Sequence, residues 1–116
     1  MSKDWMLKTL VGLGLTDLDA EVYVFLATNG PQEAKNIAIA LRLYRQQLYR
    51  SLKNLQSKGI VAASHERPAL FSAVLFERVL DLFLKVRMEQ QKTLQESKEE
   101  ILSTWRSIIK KDFADS

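Results

Sequence analysis

The chain has 116 residues, 47% of them apolar and 27% charged, with a formal charge of +3. That composition fits one small folded domain with an appended helix and excludes a disordered chain. With no cysteine and one histidine, it has no disulfide framework, thiolate metal site, cysteine nucleophile or all-histidine zinc site.

No apolar run approaches the roughly 18 residues of a membrane span. The opening segment holds Asp4 and lacks a continuous apolar stretch, so it does not read as a signal peptide. The reading is a cytoplasmic protein that is not an enzyme, with no catalytic residue, metal ligand, cofactor or small-molecule effector evident.

The charge is uneven. Residues 1–34 carry a net −3, residues 35–72 a net +6, and residues 73–116 balance to zero. A basic middle third in a near-neutral chain is the footprint of a polyanion-binding face.

Trp5, Met6, Leu7, Leu10, Val11 and Leu13 recur at helical spacing and end at Gly12 and Gly14, predicting a helix over 3–13. Thr16 suits an N-cap, with Asp17 and Asp19 in the following first turn. Leu18, Val22, Phe25 and Leu26 carry that second helix to about Thr28, where Asn29-Gly30-Pro31 stops it. A short third helix runs from Gln32 or Glu33 to Leu41, with Ala34, Ile37, Ala38 and Leu41 inward. After a tight turn at Arg42-Leu43, Tyr44 to Lys58 reads as a fourth helix with Leu48, Leu52 and Leu55 inside and Gly59 at its end. Two short helices so joined make a helix-turn-helix. Ile60–Ser64 and Ala69–Val74 then read as a β-hairpin around His65-Glu66-Arg67-Pro68, a wing.

From Leu75 to Phe113 there is neither Gly nor Pro, predicting one continuous helix of roughly 55–60 Å at about 1.5 Å per residue. Val79, Phe83, Val86, Leu94, Ile101, Trp105 and Ile108 lie along one drifting face of it, interrupted by Gln90 and Ser97. Such a stripe needs a partner, and a second copy of the chain is the simplest one. The spacing mixes threes and fours, so the pairing direction stays open. The fold expected is mainly α with a small β-hairpin: a winged helix-turn-helix domain over 1–74 and a long dimerisation helix over 75–116.

At about 100° per residue, Gln46, Arg50, Lys53 and Ser57 fall opposite the inner leucines of the fourth helix, with Tyr49 and Asn54 at the edges. Amide and cationic tips suit a major groove, where Arg pairs with guanine, Gln with adenine, and Lys or Tyr takes phosphate. Gln46 and Arg50 are therefore expected to read bases, with Gln47 a further candidate. Tyr49 and Lys53 would hold phosphate, while Arg45, Lys35 and Arg42 would flank the DNA backbone. Arg67, with His65 a further candidate, would extend contact from the wing. Tyr44 is expected to pack.

At these residues a family resemblance becomes visible. Leu13 to Thr16, Ala20, Val22, Tyr23, Leu26, Gly30, Pro31, Ile37, Ala38, Arg45, Leu48, Tyr49, Leu52, Leu55, Lys58 and Gly59 fall in the spacing of one pattern. It resembles the N-terminal winged-helix domain of TrmB-like transcriptional regulators, over roughly residues 10–80. The resemblance implies an archaeal-type regulator that binds double-stranded DNA as a homodimer. Two departures stand out. Leu41-Arg42-Leu43-Tyr44 offers no Asn, Ser or Asp to cap the fourth helix, and no sugar-sensing domain follows in this sequence, so sugar control is not carried over. The competing reading is a winged-helix adaptor that binds protein and not DNA.

Overall fold

The computed structural model describes the backbone of residues 2–114 and the side chains of residues 2–110. Its elements, in order, are α1 (Lys3–Gly12), α2 (Asp17–Asn29), β1 (Gln32–Glu33), α3 (Ala34–Leu41), α4 (Arg45–Ser57), β2 (Val61–Ala63), β3 (Leu70–Ala73), α5 (Phe76–Glu96) and α6 (Lys98–Ala114). Two compact units result, Met1–Leu80 and Asp81–Ser116.

The first unit is a winged helix. α2 begins at Thr16, whose Oγ1 accepts the Asp19 N–H at 3.0 Å, satisfying an amide that the helix itself leaves free. It ends at Gly30, whose φ of 79° is open to glycine at little cost. Leu10, Val22, Leu26, Ile37, Leu48, Leu52, Leu55 and Ile60 are buried together as the core. α4 thus turns its predicted leucine stripe inward. Each such side chain contributes about 1.5–3 kcal/mol by leaving water. Gly59, at φ 75°, turns the chain after α4, and the Ile60 N–H closes onto the Leu55 carbonyl at 2.9 Å.

The sheet differs from the expected hairpin. It has three strands in the order β1-β3-β2, with Gln32 opposite Phe71 and Glu33 opposite Leu70 on one side of β3, and Ala63 opposite Phe71 on the other. Gln32 and Glu33 therefore pair as strand and do not open α3, which starts at Ala34. No residue pattern two positions long announces such a strand. Its partner, 38 or so residues on, supplies the bonds.

The predicted continuous C-terminal helix comes as two, α5 and α6, meeting at Ser97. Serine is a weak helix former because its hydroxyl competes for backbone bonds. The ladder nevertheless spans the junction: the Ser97 N–H donates to Thr93 O at 3.0 Å, and Ile101 N–H to Ser97 O at 2.9 Å. Residues 115 and 116 of the expected dimerisation segment lie outside the described residues.

Val79 requires a correction. Its side chain is 0% exposed within the chain itself, so it belongs to the winged-helix core and not to an exposed stripe. The first turn of α5 packs with the unit that precedes it.

Candidate nucleic-acid interface

The turn between α3 and α4 sets the site. Arg42 adopts the left-handed conformation, φ 54° and ψ 52°, uncommon for a residue with a Cβ. The turn is closed by the Leu43 N–H donating to the Ala38 carbonyl at 2.9 Å. The cap missing from the sequence comes from the other direction: Gln47 Oε1 accepts the Tyr44 N–H at 3.0 Å. This is the reciprocal half of a capping box, supplied by the third helical residue, and the Tyr44 side chain makes no cap of its own. The amide oxygen of Gln47 is thus engaged locally. The expected packing of Tyr44 is not observed, since its ring is 80% exposed.

Three sides of α4 are occupied and one is open. Leu48, Leu52 and Leu55 face the core. On one flank Ser51 Oγ and Asn54 Nδ2 each donate to the Asp19 carboxylate, both at 2.6 Å, so Asn54, expected at the edge of the open face, is turned toward α2. On the other flank the Arg45 guanidinium lies 5.5 Å from the Tyr49 ring centroid, in cation–π range. The open arc carries Gln46, Arg50, Lys53 and Ser57, all exposed. Lys92 and Glu96 form an ion pair in α5, while no ion pair engages Arg45, Arg50 or Lys53 among the described residues.

Beside the Arg45–Tyr49 pair is a groove of about 570 Å³, lined by Lys35, Ile39, Arg45, Tyr49 and Pro68 among others. Ile39 is 68% exposed there. Lys35, Arg42 and Arg67 are also exposed. The wing loop is fixed at its base, where Ser64 Oγ accepts the Leu70 N–H at 2.9 Å and the Ser64 N–H donates to Leu70 O at 2.8 Å. Arg67 and His65 sit in that exposed loop. Sequence reasoning missed Asp19 and Ser51 as residues that hold α4. An acid in a first helical turn reads as a dipole partner, and only the fold brings Ser51 and Asn54, 32 and 35 positions away, to its oxygens.

In the second unit Val86, Leu94, Ile101, Trp105 and Ile108, five of the seven expected dimerisation residues, line one concave surface of about 870 Å³ together with Gln90, Thr93, Ser97 and Thr104. Phe83 is half-buried. Among the described residues no three His, Asp or Glu gather closely enough to hold a metal ion, and no helix is long and apolar enough to cross a membrane.

A helix-turn-helix followed by a short antiparallel sheet, with long helices after it, defines the winged-helix class of regulators. Residues 10–77 match the model of the sugar-specific transcriptional regulator TrmB, and the chain belongs to the TrmB family. Among solved structures it is similar to TrmBL2, described as an archaeal chromatin protein with a novel mode of DNA binding, at 25% identity and a TM-score of 0.80. That match covers 89% of this chain and 40% of the other, so the chain spans well under half of that protein. A possible transcriptional regulator from Methanosarcina mazei Go1 aligns at 20% identity and a TM-score of 0.62, covering 76% of this chain and 80% of the other. The multiple antibiotic resistance repressor MarR aligns at 19% and 0.55, covering 94% and 85%. No curated protein sequence matches the chain. Family and fold point to a DNA-binding transcriptional regulator and not to an enzyme.

Proposed function

We propose that the chain binds specific double-stranded DNA sites as a homodimer and regulates transcription from them. The observation that carries this reading is the open arc of α4, where Gln46, Arg50 and Lys53 face solvent and no ion pair engages the two cations among the described residues. Gln46 and Arg50, near the start of the helix, read base edges, because residues at that end of a recognition helix reach deepest into a major groove. Lys53 and Tyr49 hold phosphates, Arg45, Lys35 and Arg42 flank the backbone, and Arg67 adds contact from the wing. Gln47 is bound first to its own helix start, and its part in DNA binding is through that cap.

Homodimerisation rests on the concave face between Val86 and Ile108, within the dimerisation helix read over 75–116. Gln90, Leu94, Ser97, Ile101, Thr104 and Ile108 line it in alternating steps of four and three, the spacing at which one helix seats another. An exposed stripe holding Leu94, Ile101, Trp105 and Ile108 is costly to leave in water.

Selection of bound fragments from random duplex DNA, beside a sizing measurement, tests both parts. A two-fold related pair of half-sites about 34–36 Å apart, or a multiple of that, is expected of a dimeric helix-turn-helix protein. A monomer that retains no fragment overturns the reading in favour of a protein-binding adaptor.

A further inference from the structure

Asp19 is a buried acid that the DNA-reading face does not use. It is 4% exposed, no cation pairs with it among the described residues, and a lone buried carboxylate is ordinarily expensive. Two features make it tolerable. It sits in the first turn of α2, where the helix dipole favours negative charge. Its two oxygens accept one donor each from α4, Ser51 Oγ on one and Asn54 Nδ2 on the other, both at 2.6 Å.

Leucines alone do not explain why α4 holds one rotation. Leu48, Leu52 and Leu55 say which side faces the core, but dispersion and apolar burial are non-directional and allow a helix to roll by some tens of degrees. Hydrogen bonds weaken steeply off axis. Two of them to the two oxygens of one carboxylate, from residues three apart and so on one flank of α4, fix both its roll and its height against α2. A roll of about 100° moves every side chain on by one position. Even a fraction of that carries Gln46 and Arg50 off the base edges they are proposed to read.

We infer that Asp19 is a positioning residue for DNA recognition: through Ser51 and Asn54 it locks the rotation of α4 and so sets which side chains enter the groove. The inference rests on the DNA-binding reading above for its consequence, while the lock itself is a property of the protein alone.

The test uses Asp19→Ala, which removes both acceptors that Ser51 and Asn54 use and leaves a flipped Asn54 amide nothing to bond at that position. The double variant Asp19→Asn with Asn54→Asp keeps the net charge and reverses the bond between the two positions, so that position 19 donates to position 54 and still accepts from Ser51. Two readouts are needed at a temperature where circular dichroism shows each protein folded. The first is amide hydrogen exchange and backbone chemical shift in α4. The single variant is expected to lose protection at least tenfold at Leu52 and Leu55, with shifts concentrated in α4, and the double variant to recover the wild-type pattern. The second is the preference of the protein for a duplex recovered by selection over mixed-sequence duplex. That preference is expected to fall about tenfold in the single variant, while binding to mixed-sequence duplex persists through Lys35, Arg42 and Arg67, which lie off α4.

Unchanged α4 protection and shifts in a folded Asp19→Ala protein overturn the lock, as does a double variant that fails to show the wild-type pattern. If wild-type protein shows no preference for any duplex, the DNA-binding reading fails instead, and the exchange data still decide the lock on their own.

Discussion

The side-chain oxygen of Gln47 accepts the backbone N–H of Tyr44 at 3.0 Å, so the helix that faces solvent with its cationic arc is capped from within. Gln47→Ala is expected to lower stability by about 0.5–1 kcal/mol, the usual worth of a cap. Gln47→Glu keeps an acceptor at that position and adds favourable charge at a helix start, and is expected to match or exceed the wild type. Thermal unfolding of the two variants checks this. Equal losses in both would remove the cap as the reason for Gln47.

Arg50 and Lys53 share an exposed face but are expected to fail differently. Arg50→Ala should cost about 1–3 kcal/mol of binding free energy concentrated at one base position, the signature of a bidentate contact. Lys53→Ala should weaken all duplexes alike and reduce the salt slope by about one. Fluorescence anisotropy against a panel of single-base variants at several salt concentrations separates them. A uniform loss for Arg50→Ala would reassign it to phosphate.

The concave face between Val86 and Ile108 gives a prediction independent of DNA. Ile101→Glu places a charge in the middle of the stripe that Leu94 and Ile108 continue, and a buried unpaired charge is strongly unfavourable. Sedimentation is expected to show the dimer replaced by monomer, with the helical signal of the winged helix retained. A dimer that survives this substitution undiminished would move the interface elsewhere.

Tyr23 ties α2 to the end of β3 by donating from its hydroxyl to the Val74 carbonyl at 2.7 Å. Burial raises its pKa above the ordinary value of 10.0, and the negative charge of Glu77 adds to the rise. The folded protein therefore holds this proton more tightly than the unfolded chain does. The stabilisation is fully present below the ordinary tyrosine value and is lost as pH climbs above it toward the raised folded one. Stability should decline with pH above about 10, and Tyr23→Phe should flatten that part of the decline while costing roughly 0.5–1.5 kcal/mol at neutral pH through the lost hydrogen bond. Denaturant melts across alkaline pH measure both.

Much of this molecule could be read from residue order because its strongest signals are local. Thr16, Gly30 and Gly59 mark helix ends by chemistry confined to a few neighbouring backbone groups, and the Leu48-Leu52-Leu55 stripe declares its buried side by spacing alone. The misses are non-local. β1 exists only because Leu70 and Phe71 come to lie beside Gln32 and Glu33. Asn54 looked like a surface amide until Asp19 stood opposite it. Val79 continues the same apolar spacing as the stripe beyond it, and only the packed domain shows that it has already been covered. The base-reading and dimerisation roles depend on partners, and spacing within one chain does not display them.

The middle strand of the sheet, β3, is flanked on both sides, leaving β1 and β2 as the rims. Those rims are two and three residues long, too little backbone to template the addition of a foreign strand. A second copy of the chain would thus meet its helices and almost no ribbon to stack upon, so the sheet gives fibrous assembly little to build on.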